Sequence, residues 1–296
     1  MVALAQTLQG ELRFNEPLSK YTSWRVGGNA QRFYRPTGVQ DLALFLTQLS
    51  SSESLLWLGL GSNLLVRDGG FAGTVISTAG TLQDFEIQGQ SLYAEVGVYC
   101  SKLAKQAARA GLSGAAFLAG IPGTLGGALA MNAGAHQAEI WELVSEVTTV
   151  DRQGVLRQRK PEEFKVSYRH VESPANEWFV SATLALVEGD KESETAEIKA
   201  LLKKRNMSQP TNQPCAGSVF RNPENDFAGR LIESNGLKGL NVGGAHVSDK
   251  HANFIVNDGS ATAADIESLI LLVQQKIELA EGVTLQPEIH IVGEIA

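Results

Sequence analysis

The stretch AGIPGTLGGALAMNAGA, residues 119–135, constrains this chain more than any other. It holds five glycines and one proline and carries no charge. With so few side chains, the backbone is the surface left for chemistry. Glycine-rich turns let N–H groups converge on an anion and let the chain approach a ligand closely. A second such turn, GLGSN at 59–63, follows the strand-like run LLWL. Neither fits the dinucleotide signature G-x-G-x-x-G. Gly59 and Gly61 lack the third glycine, and Gly120, Gly123 and Gly126 are spaced by three. No G-K-[ST] occurs, so a P-loop is out. The plain alternative for either segment alone is a tight turn or close helix packing. Two in one chain, each beside apolar residues, favour a long anionic cofactor held mostly by main chain.

Composition closes off other classes. At 296 residues, with 43% hydrophobic and 19% charged, the chain can bury a real core and suits two domains. A net charge of −7 argues against non-specific nucleic-acid binding. The longest apolar runs fall short of the ~20 residues a membrane span needs. The N-terminal MVALAQTLQGELRF lacks the basic segment and apolar core of a secretory signal. Cys100 and Cys215 are too few for a disulfide framework, and no Cys/His spacing resembles a zinc site. The expectation is a cytoplasmic protein with no metal, nucleic-acid or membrane partner, and a monomer as the simpler state.

The pattern along the chain is mixed. Residues 40–50 and 100–111 predict helices, the second stopping at Gly111. Residues 84–98 predict two strands around Gln88-Gly89, 146–160 a hairpin, and 178–189 a long strand. The small residues after Gly123 could begin a helix. A charged helix over 189–206, acidic first and basic last, marks a domain boundary near its start. Residues 261–282 predict one long helix with Ile266, Ile270, Val273 and Ile277 on one face. LQPEIHIVG ends the chain as a strand.

Six segments occur together and in order: YTSWRVGGNA (21–30), GLGSNLLV (59–66), GIPGTLGGALAMNAGA (120–135), SYR (167–169), CAGSVFRNP (215–223) and PEIHIVG (287–293). In this the chain resembles the UDP-N-acetylenolpyruvoylglucosamine reductases, flavoenzymes that complete UDP-N-acetylmuramate for peptidoglycan. The match runs from about residue 15 to the C-terminus. The resemblance implies an α+β protein. An FAD-binding domain of the vanillyl-alcohol-oxidase type would span 15–188, as two subdomains of about 15–80 and 81–188. A substrate domain would span 189–296, with the strand at 285–293 returning to the active site. Such a domain is not a Rossmann fold, which accounts for the failed G-x-G-x-x-G test. The direct run from Arg169 to the 178–189 strand matches the shorter family type, so the longer type's inserted tyrosine is not carried over.

The implied reaction reduces an enol ether conjugated to a carboxylate. NADPH would reduce FAD, and the flavin would pass hydride to the terminal enol carbon. The developing charge needs a cation or donor at the carboxylate, a stabiliser and a proton source. The resemblance assigns the proton to Ser218, which follows Gly217 in a turn; from the tripeptide alone, a structural hydrogen bond is the ordinary role for such a serine. Arg169 can fork onto a carboxylate. Glu288 could support the enediolate if its pKa is raised enough to donate. A structural ion pair, even with each other, is the alternative for both.

Cofactor contacts are expected from Arg25, Gly27, Gly28, Gly59, Gly61, Ser62, Asn63, Leu64 and from Gly120, Ile121, Pro122, Gly123, Thr124, Gly126, Gly127 and Ala128. Between residues 200 and 250, Lys203, Lys204, Arg205, Arg221, Arg230, Lys238 and Lys250 stand against Glu224, Asp226, Glu233 and Asp249, a local 7 − 4 = +3. That excess suits a diphosphate. Arg221, Asn222, Lys238 and Tyr168 are the substrate-binding candidates. The four tryptophans read as core. Two other readings stand: an oxygen-using flavin oxidase of the same fold, and a flavin- or nucleotide-binding protein without turnover. The 59–66 segment has no histidine to tether flavin, which weighs against the first.

Overall fold

Local sequence signals explain most elements of the computed structural model, which describes residues 7–296. The helix Cys100–Arg109 buries Leu103, Ala104, Ala107 and Ala108 on one face, and Gly111 then takes φ 71. The helix Ala263–Glu281 buries Ile266, Ile270, Val273 and Ile277. Thr262 Oγ1 accepts from the Asp265 amide at 3.1 Å, and Asp265 Oδ2 accepts from the Thr262 amide at 2.9 Å. That reciprocal cap starts the helix, and Gly282, at φ 69, stops it. The charged helix is Lys191–Ser208. Helices Val39–Thr47 and Leu125–Met131 fall where the sequence places them.

A five-stranded sheet runs in the order Leu156–Arg159, Val144–Asp151, Glu177–Ala185, Ser91–Glu95, Phe85–Gln88. A four-stranded sheet runs Glu11–Pro17, Asn29–Arg35, Phe71–Ser77, Leu55–Leu58, the last two strands parallel. The strands of the two sheets are separated in sequence between Ser77 and Phe85. The terminal strand is shorter than expected, only His290–Val292. The reason lies upstream: the Glu288 amide bonds Val219 O, and Gln286 O takes the Arg221 amide, each at 2.8 Å. Residues 286–288 are thus paired with another segment before the final strand begins.

Contacts group the described residues into two compact units. The first holds residues up to Arg13, then Arg32–Gly59 and Gly73–Leu202; the second holds Phe14–Gln31, Leu60–Ala72 and Lys203–Ala296. This differs from a break at 188/189: the division falls inside the charged helix, and two early segments group with the C-terminal part. Both have clear anchors. Trp24 is fully buried, donates to Ile255 O at 2.8 Å, and its carbonyl accepts from Asn257 Nδ2 at 2.8 Å. Leu64–Val66 runs parallel to His290–Val292. The first unit has its own core, including Leu42, Leu92, Leu103, Leu118 and Leu184; the second centres on Trp24, Phe220, Ile255 and the long C-terminal helix.

Both cysteines are free. Burial pushes the Cys100 thiol up to about 12, and burial raises Cys215 despite the pull of Arg205. Among the described residues no helix is long and apolar enough to cross a membrane. Nor do any three His, Cys, Asp or Glu among them form a metal-binding group. The signal-sequence reading draws partly on residues 1–6, which lie outside the described residues.

Packing separates the glycines into two kinds. A Cβ on Gly28 would lie 2.1 Å from Asp68 O and 2.5 Å from Gly70 N. A Cβ on Gly217 would meet nothing within 4 Å. Gly28→Ala is expected to cost roughly 2–3 kcal/mol, the scale of overpacking against fixed backbone. Gly217→Ala should stay within about 0.5 kcal/mol of the parent. Thermal and denaturant unfolding of the two variants checks both.

Candidate active site

In the first unit the 120–135 loop is fixed by main-chain bonds. Leu125 and Gly126 donate their amides to Val98 O at 2.8 Å and Val96 O at 2.9 Å, and Gly123 O accepts from Cys100 N at 3.0 Å. A Cβ on Gly126 would sit 2.8 Å from Val96 Cβ, so only glycine lets the chains touch here. Thr124 starts the Leu125–Met131 helix, but its hydroxyl makes no capping bond. That Oγ1 is buried without a hydrogen-bond partner, and a Cβ on Gly59 would be 2.6 Å from it. The GLGSN turn and the long loop therefore meet at Gly59 and Thr124. Ile121 is buried and Pro122 exposed; Gly120 has its nearest neighbours, Ala135 and His136, at 3.8 Å from a notional Cβ. Ala128 is buried and returns its amide to Thr124 O.

Beside this junction lies a cavity of about 270 Å³, lined by Trp57, Gly59, Val96, Gly126, Gly127 and Trp178 among others. The two indoles stack, centroids 5.5 Å apart and planes 25° apart, and the Trp57 N–H is buried without a partner. The expectation that all four tryptophans are core is corrected here. Trp24 and Trp141 are core, but Trp57 and Trp178 wall a cavity. Sequence could not separate the pairs, because what borders each indole is set by the tertiary fold and not by its neighbours in the chain. The volume is near the lower end of the ~300–1,000 Å³ usual for ligand sites. It suits one flat ring system better than a whole dinucleotide.

Arg169 also belongs to the first unit. It sits with Tyr168 at the tip of a hairpin, Lys165–Ser167 with His170–Glu172, and has φ 53. Its guanidinium donates to Asn132 O at 3.1 Å, Gly134 O at 2.9 Å and Glu139 Oε1 at 3.2 Å. The guanidinium carbon lies 4.8 Å from the centre of the Tyr168 ring, which is about half exposed. An ion pair was one expectation for Arg169; its carboxylate is Glu139, a residue that no local sequence signal picks out.

The second unit brings three of the motifs together by backbone. Gly217 donates to Ser62 O at 3.0 Å, and Val219 O accepts from Glu288 N at 2.8 Å. Asn63 Nδ2 donates to Glu288 O at 3.1 Å, and Asn63 O takes the His290 amide at 3.0 Å. Leu64 pairs with His290. Ser218, half-buried, is thus bracketed by Gly217 on one strand of contacts and Val219–Glu288 on the other. Glu288 is half-buried as well. Gly61 takes φ 59 and packs on Tyr21 O, 2.3 Å from a notional Cβ. Gly27, at φ 122, packs on Val66, and Arg25 has φ 61. Packing alone accounts for glycine at 27, 28 and 61.

Much of the expected basic basin is consumed internally. Arg230 pairs with Asp226, and Lys238 pairs with Glu233 at 2.6 Å. Arg205 bonds Gln209 Oε1 at 3.0 Å, and Asn222 Oδ1 takes the Ala228 amide at 3.1 Å. Arg221 is different: its Nε is buried without a hydrogen-bond partner. Burial and the Arg221 charge together hold His290 below the usual imidazole range, although part of the residue reaches solvent. Burial, with help from Lys238, does the same to His251.

Residues 30–158 match the family model described as FAD binding domain, and 209–292 match UDP-N-acetylenolpyruvoylglucosamine reductase, C-terminal domain. A reductase of that name from Alkalilimnicola ehrlichii is 57% identical over 99% of both chains. The crystal structure of a UDP-N-acetylenolpyruvylglucosamine reductase from Thermus caldophilus superposes with a TM-score of 0.83, at 34% identity over 96% of this chain and 99% of that one. A 6-hydroxy-D-nicotine oxidase from Arthrobacter nicotinovorans shares the fold at a TM-score of 0.57 and 13% identity, over 96% and 88% of the two chains.

The cofactor is FAD. What the first unit offers fits it: close-packed glycine backbone, an orphan buried hydroxyl at Thr124, and an aromatic cavity with an orphan indole N–H. Thr124→Val replaces the hydroxyl with a methyl of similar size. It should leave unfolding stability unchanged or slightly higher, since that oxygen bonds nothing in the protein. FAD should bind about fivefold more weakly, one neutral hydrogen bond's worth. Flavin fluorescence titration of the apoprotein measures this.

Proposed function

Because the chain belongs to the UDP-N-acetylenolpyruvoylglucosamine reductase family, we propose that it reduces the enolpyruvyl ether of a UDP-N-acetyl sugar to the lactyl ether, using NADPH as the source of electrons. The product would be UDP-N-acetylmuramate, a cytoplasmic precursor of peptidoglycan, so that cell shape and division depend on it. The working unit would be a monomer. The observation that carries the assignment is near-full-length identity at 57%, far above the level at which only fold is shared.

Bound FAD supplies the hydride that reaches the terminal enol carbon. The protein's task is the charge that this leaves on the neighbouring carbon and carboxylate. Arg169 would meet the carboxylate with a planar cation, a geometry that lysine cannot supply. Glu288 would support the enediolate. Ser218 would deliver the proton: a hydroxyl is a weak acid, but a carbanion-like carbon is a strong enough base to take it. Support for the last two roles is local. Ser218 and Glu288 come from distant sequence, and main-chain bonds set the one directly beside the partner of the other. Arg221, with its buried orphan Nε, is the best candidate for the substrate's phosphates. Lys238 and Asn222 would have to exchange existing partners to join it.

Stopped-flow absorbance tests the scheme in two halves. The yellow protein should bleach with NADPH under nitrogen and recover its colour on adding the enolpyruvyl nucleotide. Ser218→Ala should bleach at the parent rate and lose recovery by about 10²–10⁴-fold, the range for a positioned general acid. Recovery at the parent rate in that variant would remove Ser218 as the proton donor. Recovery driven by oxygen and indifferent to the nucleotide would mark an oxidase.

A further inference from the structure

Arg169 occupies a costly position. It is not glycine, yet it holds φ 53 at the end of a two-residue hairpin turn. Left-handed backbone costs an ordinary side chain about 1 kcal/mol or more. Its side chain is mostly covered, 15% exposed, and the guanidinium bonds to residues 132, 134 and 139. These three belong to one short piece of chain, the end of the Leu125–Met131 helix and the small hairpin of Gly134–Ala135 with Ala138–Glu139.

That piece is itself organised around the guanidinium. Asn132 is 2% exposed and closes the helix at φ 46. Its Nδ2 donates to Glu139 Oε2 at 2.6 Å and to Ser167 O at 3.2 Å, and its Oδ1 accepts from the Trp141 amide at 3.4 Å. Glu139 therefore uses one oxygen on Asn132 and the other on Arg169. Ser167 begins the turn that carries Arg169. The network closes on itself: Arg169 to Glu139, Glu139 to Asn132, and Asn132 back to Arg169 through its carbonyl and to the Arg169 turn through Ser167. The turn between the two short strands, His136 and Gln137, has φ 56 and 70 with no glycine at either place. A Cβ on Gly134 would lie 2.5 Å from Ala138 O and 3.1 Å from Arg169 Nη1, so the loop has no room for a side chain there.

We propose that Glu139 and Asn132 are positioning residues for the reduction: they set the plane and direction of the Arg169 guanidinium in which it serves the substrate carboxylate. The proposal rests on the reading of Arg169 given above. A lone arginine on a hairpin tip would sample many rotamers. Bonds to Asn132, Gly134 and Glu139 hold one. Neither residue touches the reacting atoms; each acts through Arg169.

A double-mutant cycle tests this, with Glu139→Gln, Arg169→Ala and the pair, each checked for unfolding midpoint and flavin content. Reduction by NADPH and reoxidation by the enolpyruvyl nucleotide are measured separately. Glu139→Gln should slow reoxidation roughly 10- to 100-fold, the scale of misorienting a catalytic group, and leave reduction by NADPH within about twofold. The double variant should be no slower than Arg169→Ala alone, because groups acting as a unit are not additive. Asn132→Gly, which keeps the left-handed backbone accessible and removes the whole side chain, should slow the same step and serves if Glu139→Gln does not fold. Reoxidation at the parent rate in Glu139→Gln and Asn132→Gly, with Arg169→Ala impaired, would overturn the positioning role and leave Arg169 in place. Multiplying effects in the double variant would also overturn it. A harmless Arg169→Ala would overturn both readings at once.

Discussion

Two carbonyls, those of Val96 and Val98, hold the first unit's site in place. By taking the amides of Gly126 and Leu125 they pin a loop that has almost no side chains with which to pin itself. The consequences run forward along the chain. The pinned loop leaves Thr124 with an unspent hydroxyl and places Gly126 and Gly127 on the wall of the cavity. It then launches the Leu125–Met131 helix, whose last turn ends at Asn132 and so delivers the groups that bind Arg169. The cavity wall and the carbonyl that receives Arg169 are two ends of one short element.

The second unit uses the same device. Gly217 to Ser62 and Glu288 to Val219 are tied by peptide groups. Main-chain bonds survive most substitutions, and they leave side chains at liberty to face a ligand. An arrangement of this kind sets two groups from distant sequence side by side through bonds that do not depend on what their side chains are. Ion pairs do the opposite, as Lys238 and Arg230 illustrate: once paired, they are committed.

Legibility in the sequence followed the range of the interaction. Helices were readable because their signals are local: the 3–4 spacing of Ile266, Ile270, Val273 and Ile277, and glycine at 111 and 282. The ordered motifs gave family, cofactor and fold. Two kinds of fact were not readable. One is which segments group together, since residues 14–31 join the C-terminal part through contacts such as the buried Trp24 indole on Ile255, 231 positions away. The other is which charges cancel. The local +3 stands, but sequence does not say which cations carry it: Asp226 pairs with Arg230 and Glu233 with Lys238, so the excess lies on other residues. Glu139 was invisible for the same reason: its meaning comes from Arg169, thirty residues on. What sets Trp57 and Trp178 apart from Trp24 and Trp141 is the cavity next to them in space.

Where the cavity wall is bare peptide, mutation has little to work with. An added carbon at Gly59 would fall 2.6 Å from Thr124 Oγ1, and one at Gly126 would fall 2.8 Å from Val96 Cβ. A compound designed to lie along those two residues would be shielded from the commonest form of drug resistance, a bulkier side chain swung into its path.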